Sequence, residues 1–128
     1  MPSTGLGKSY SLDVKTIDYV VTRKSAGTYV LGYIETKKEK GEEKKTFVVE
    51  YVGRSDDDIN GRLKKWVGSK YKRFKFGYYG SPKAAFEKEC NIYHDFGGKK
   101  TLDNEIHPDR PKNKDWQCPQ CDVFKEKK

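Results

Sequence analysis

Residues 27–53 read GTYVLGYIETKKEKGEEKKTFVVEYVG, two β-prone runs on either side of a charged centre. Residues 28–35 (TYVLGYIE) and 46–52 (TFVVEYV) are rich in Val, Ile, Thr, Tyr and Phe, side chains that pack well on a pleated, half-buried surface. Residues 36–45 (TKKEKGEEKK) are charged apart from Thr36 and Gly41 and read as an exposed connection. The expectation is a β-hairpin with a long charged tip.

On the C-terminal side, Gly53 ends the second strand. Ser55 precedes Asp56, Asp57 and Asp58, which reads as an N-cap followed by acids in the first turn, with Asp58 at the capping-box position. Ile59, Leu63, Trp66 and Val67 then recur at helical spacing up to about Gly68, with Arg62 on the rim of the apolar stripe. Residues 73–79 (RFKFGYY) alternate and predict a third strand. Ser81-Pro82 opens a second helix, with Ser as cap and Pro at the first helical position. Its stripe is Ala85, Phe86, Ile92, Tyr93 and Phe96, and Gly97-Gly98 stops it. On the N-terminal side, residues 17–22 (IDYVVT) predict a short strand and residues 1–16 a flexible segment. The order predicts an α+β domain over residues 17–104, about three antiparallel strands flanked by helices. An irregular tail follows over residues 105–128, with Pro108, Pro111 and Pro119.

The composition bounds the function. A chain of 128 residues can bury one modest core. Aromatic residues make up 13%, which argues against disorder. The N-terminus lacks the apolar run of a secretion signal, and no stretch approaches the ~20 apolar residues of a membrane span. An odd count of three cysteines, two of them in a CxxC, argues for a reducing compartment, so a cytoplasmic protein is expected. The net charge is +8, and its position carries the information. Residues 59–86 hold Arg62, Lys64, Lys65, Lys70, Lys72, Arg73, Lys75 and Lys83 with no Asp or Glu, while the rest of the chain balances 19 basic against 19 acidic residues. A localised excess is a field aimed at a polyanion, although a solvated basic face would look the same.

Two charged residues sit where water is scarce. Glu89 falls on the apolar stripe of the second helix, where a carboxylate loses hydration unless a cation or donors pair with it. A bound metal ion and a structural ion pair both answer that need. Arg62 can grip a phosphate through two parallel hydrogen bonds, or can merely cover apolar surface with its stem.

These residues fall into a pattern. Gly27-Thr28-Tyr29 and Tyr51-Val52-Gly53 resemble the paired tripeptides of the GIY-YIG nuclease family. Arg62 follows Tyr51 by eleven residues, near the family's spacing. Glu89, in EKECNIYHDF, resembles the family's metal-binding glutamate, and Asn104, in LDNEIHP, the Asn that follows that helix. The resemblance covers about three fifths of the chain, from 27 to 104. Thr28 stands where the family has Ile, and the tripeptides are 21 residues apart, longer than usual. No His follows Arg62 within a turn, which leaves open the group that protonates the leaving oxygen.

The resemblance implies a metal-dependent endonuclease hydrolysing phosphodiester bonds in DNA, with RNA left open. It implies that Glu89 holds Mg²⁺ or Mn²⁺, that Arg62 neutralises charge on the phosphate, that Tyr29 or Tyr51 is the general base, and that Asn104 belongs to the site. Arg54, Arg62 and the metal are expected to stabilise the phenolate. Arg54, Lys64, Lys65, Lys70, Lys72, Arg73 and Lys75 are expected on the nucleic acid, making binding strongly salt-dependent. A homodimer or a specificity-providing partner protein is left open. The alternative class is a nucleic-acid-binding module without catalysis, carrying a structural zinc site.

The cysteines stand apart from this pattern. Cys118-Pro-Gln-Cys121 has the spacing of half a zinc site. Cys90 and His94, four apart on one helix face, offer the other half, and His107 is a rival ligand. A Cys₃His centre of Cys90, Cys118, Cys121 and one histidine would staple the tail to the glutamate helix. Three unrelated thiols are the competing reading. A redox pair fits less well, because the CxxC does not open a helix.

Overall fold

The computed structural model describes residues 4–104, 107–111 and 114–121; the remaining positions of the N-terminal segment and the tail lie outside the described residues. The long hairpin forms the middle of a four-stranded antiparallel sheet. Its strands are β1 (Tyr10–Ser11), β2 (Gly27–Glu39), β3 (Glu42–Ser55) and β4 (Arg73–Tyr78), in the order β1-β4-β2-β3. Three helices pack on it: α1 (Val14–Val20), α2 (Ile59–Lys64) and α3 (Pro82–Asp95), the last followed by a 3₁₀ turn at Gly98–Lys100. The class is therefore α+β, as the element order predicts.

Alternation along the strands sorts the core into two layers. Tyr29, Leu31 and Phe74 face Ile17 of α1 and Ile59 and Leu63 of α2. Val30, Val49 and Val52 face Ile92 and Tyr93 of α3, joined by Leu6 and Leu102. The β2–β3 register shifts between Leu31 and Gly32, leaving Glu50 without a partner position. That single extra residue lets Val49 and Val52 share the α3 face while Tyr51 turns to the other, because a bulge resets the two-residue period.

Five expectations are corrected. The charged stretch 36–45 is not a loop. Its residues extend both strands, and Lys40 (φ 50°) with Gly41 (φ 79°) closes them. Positive φ at both central residues matches the twist of the flanking strands, and charged side chains exposed on both faces leave the ladder hydrogen bonds intact. Residues 17–22 are not a strand. Asp13 accepts a hydrogen bond from the Thr16 N–H and caps α1, which buries Ile17 and, just beyond it, Val21. Local β-propensity loses there to packing, which supplies most of a short helix's stability.

From Thr4 onward the N-terminal segment is tied down. Thr4 and Leu6 are buried, and Tyr10 and Ser11 pair with Phe74 and Arg73 as a fourth strand. The cap of α2 is Asp58, whose carboxylate accepts from Gly61 N–H, while the Ser55 hydroxyl accepts from the N–H groups of Asp57 and Asp58 one turn earlier. Finally, α2 stops at Lys64, and Trp66 and Val67 lie in the turns beyond it. Among the described residues no helix is long and apolar enough to cross a membrane.

Candidate functional site

A cavity of about 510 Å³ opens beside β3, lined by Tyr29, Tyr51, Gly53, Arg54, Asp56, Asp57, Arg62, Glu89 and Asp109. Side chains from β2, β3, α2 and α3 meet there across the sheet's edge. The glycine of the second tripeptide makes this possible. Tyr29 pairs in register with Gly53, and a Cβ at Gly53 would stand 2.5 Å from the Tyr29 ring and hydroxyl. The phenol crosses the neighbouring strand only because nothing projects from it. Gly27 is similarly confined, since a Cβ there would stand 2.5 Å from the Gly77 carbonyl and 2.6 Å from Ile59.

The Tyr29 ring is 2% exposed, and its oxygen accepts a 2.8 Å hydrogen bond from Trp66 Nε1. Tyr51 is half-buried, with its ring centroid 4.6 Å from that of Trp66. Both phenols are pushed above their ordinary pKa, chiefly by burial; Arg62 opposes the shift and Glu89 adds to it. Of the groups expected to stabilise a phenolate, Arg62 acts in that direction at both phenols and is outweighed by burial. Arg54 does not act on them, because it is committed elsewhere.

Glu89 is buried, and its Oε1 accepts a 2.7 Å hydrogen bond from Arg54 Nη1. Burial outweighs that guanidinium and raises the carboxyl to about 7. Arg54 also bonds Asp56 at 2.8 Å, and its guanidinium lies 5.1 Å from the Phe86 ring centroid. Arg54 is therefore held in the cavity wall by Glu89 and Asp56.

The other basic residues divide. Lys64 pairs with Asp18, Lys70 with Asp103, Arg73 donates to Ser9, and Lys75 lies over Phe47. Lys65 and Lys72 are exposed, as is Arg62 at the cavity wall. Asn104 stands outside the cavity lining. Its amide nitrogen donates to the Val52 carbonyl at 2.8 Å, and its oxygen accepts from Val52 N–H at 3.0 Å. It acts as a backbone partner for the edge strand between Tyr51 and Gly53.

In sequence Thr28 has only the look of a β-branched strand residue. It is fully buried, and its hydroxyl donates 2.7 Å to the Ala85 carbonyl of α3. It thus ties the first tripeptide to the helix one turn before Glu89. A buried hydroxyl in a strand otherwise filled by Val and Leu is the signal that would have marked it.

About α3's other end, one ligand atom each from His94, His107, Cys118 and Cys121 lies within 4.8 Å of the rest, a cluster that can hold a metal ion. His94 Nε2 and His107 Nε2 are 3.2 Å apart, and Cys121 Sγ is 3.3 Å from His107 Nε2. The edges of a tetrahedron of zinc ligands run about 3.3 to 3.8 Å. His107 Nδ1 meets the Pro108 carbonyl at 2.7 Å, which places its proton there and turns the Nε2 lone pair into the cluster. Both histidines take part, and Cys90 does not. Cys90 lies outside that set, buried with Phe86 and Cys118, and that burial pushes its thiol up.

No protein-family model, curated protein or solved structure matches this chain.

Proposed function

We propose that the chain is a GIY-YIG-type nuclease, a metal-dependent phosphodiester hydrolase acting on DNA. One observation carries this reading: Tyr29, Tyr51, Arg62 and Glu89, far apart in sequence, line one cavity. The donors there suit a hard divalent cation. The lining residues offer the carboxylates of Glu89, Asp56, Asp57 and Asp109, with no thiol or imidazole among them. Bound there, Mg²⁺ or Mn²⁺ supplies charge stabilisation at the phosphate and the leaving oxygen.

The chain's own groups supply the rest. Arg62, exposed on the cavity wall, meets the phosphate and neutralises its developing charge. Tyr51, the more exposed phenol, takes the proton from the attacking water. Tyr29 accepts from Trp66, the ring against which Tyr51 packs. At the Cys/His cluster we infer zinc in a structural role: two thiolates and two imidazoles with no position left for substrate.

The Arg54–Glu89 ion pair favours the second reading, a binding module without catalysis, because it already gives the buried carboxylate a partner. Cleavage of plasmid DNA with Mg²⁺ separates the two. Glu89→Ala and Arg62→Ala should each lose at least about 100-fold in rate while still binding DNA. Wild-type protein that binds but cuts neither supercoiled, linear nor single-stranded DNA would leave only the binding module. Mn²⁺ affinity measured without DNA should also climb as pH rises through about 7, because Glu89 must lose its proton to hold the cation. A flat profile between pH 6 and 8 contradicts that assignment.

A further inference from the structure

Residues 107–111 and 114–121 reach both the Cys/His cluster and the cavity, and we propose that metal at the cluster assembles the cavity, with Trp116 as the positioning residue between them. The proposal rests on the cavity's holding a divalent cation through Glu89, as in the function proposed above.

The segment has no helix or strand among its described residues. Side chains tie it to α3. His107, Cys118 and Cys121 meet His94, Trp116 packs on Phe86 with ring centroids 5.6 Å apart, and Gln120 bonds Asn91 and Asp95. A segment with no helix or strand among its described residues gains from a further constraint against its conformational entropy. Four ligands on one ion are such a constraint, and three of the four belong to the segment.

What the segment carries is specific to the cavity. Two residues before Cys118, the Trp116 ring centroid lies 6.0 Å from the Arg54 guanidinium, the group that bonds both Glu89 and Asp56. Arg110 Nη1 donates 2.7 Å to the Trp116 carbonyl, so the part of the segment that brings Asp109 to the cavity moves with Trp116. With the cluster filled, Trp116 confines Arg54 against Phe86 and keeps Glu89 aimed into the cavity. With the cluster empty, Trp116 lifts, Arg54 and Glu89 hydrate, and Asp109 leaves the wall.

The test uses the full chain, freed of metal by chelation and reloaded with Zn²⁺ or Co²⁺. Thiolate-to-cobalt absorption reports the cluster. Mn²⁺ affinity, read from the resonance signal of free Mn²⁺ without DNA, reports the cavity. The zinc-loaded protein should bind one Mn²⁺ that Glu89→Gln abolishes, and removing zinc should weaken it at least about tenfold. Trp116→Ala should keep the cobalt spectrum yet weaken Mn²⁺ several-fold, about threefold or more, with Trp116→Phe close to wild type.

If the zinc-free chain fails to fold by circular dichroism, the Trp116→Ala and Trp116→Phe pair, both zinc-loaded, decides. Mn²⁺ affinity unchanged in Trp116→Ala, or unchanged in a folded zinc-free chain, or no cobalt uptake, overturns the proposal. Zinc-loaded protein that cuts no DNA while its Mn²⁺ affinity follows zinc and Trp116 upholds the coupling and removes only the nuclease reading. Absence of any Glu89-dependent Mn²⁺ site removes both.

Discussion

The two walls of the cavity are built by different means. The wall of Tyr29, Tyr51 and Gly53 rests on β2 and β3, whose ladder runs from Gly27↔Ser55 to Glu39↔Glu42 with a single register shift. Every strand residue there is located by its neighbours' backbone, and the Trp66 indole adds a hydrogen bond at the tip of Tyr29. The wall of Asp109, with Trp116 behind Arg54, rests on irregular chain joined to α3 by ligand-type side chains. The first wall forms with the core and shares its stability. On the coupling proposed above, the second opens without unfolding the sheet, because local opening costs least where no backbone ladder holds the chain.

The sharpest way to break this contrast is Gly53→Ala. The added methyl collides with the Tyr29 ring, which lies between the sheet and α2 and has nowhere to move. A loss of about 1–3 kcal/mol, read by urea denaturation, is expected together with loss of the cavity's shape. The Cys/His cluster should keep its metal content in this variant. If metal content falls in step with stability, the walls are one unit and the contrast fails.

Asn104→Ala tests the seam between the two regions. It strips the Val52 N–H and C=O of their partners on the sheet's edge, at a cost of about 1–3 kcal/mol. Amide exchange should quicken at Val52 more than at Val30 on the inner strand. Equal exchange at both positions would show that Asn104 does not hold the edge.

Thr28→Val should have the smallest effect, about 0.5–1.5 kcal/mol, since shape is kept and only the hydrogen bond to Ala85 is lost. Its consequence should appear in the position of Glu89, measured as weaker Mn²⁺ binding, with sheet exchange unchanged. Exchange lost throughout the sheet would make Thr28 a core residue and nothing more.

Much of this was legible before any coordinates, and the pattern of failures has a physical pattern of its own. Strands 28–35 and 46–52, the helix opening at Ser81-Pro82, and Glu89 on an apolar stripe all follow from periodicity and turn chemistry acting over a few residues. The misreadings share a cause. IDYVVT has β-prone residues yet forms the end of a helix, because Asp13 caps it and Ile17 finds a core. TKKEKGEEKK looks like a loop yet pairs as strand, because Lys40-Gly41 supplies the tight turn. The first residues look like a tail, yet Tyr10 finds β4 more than sixty positions away. In each case a partner distant in sequence, or a single turn residue, outweighs local composition.

The sequence by itself determined the residue types: which positions can hold a cation, which can cross a strand, and that the positive charge is concentrated in one segment. Their spacing also determined a hairpin and an amphipathic helix bearing a carboxylate. Only the tertiary structure decided which ligands meet. It chose both histidines over Cys90, sent Arg54 to Glu89 and not to solvent, and brought Asp109 to the cavity. The reason is that side-chain chemistry belongs to each residue alone, whereas a distance between two side chains depends on every packed contact between them.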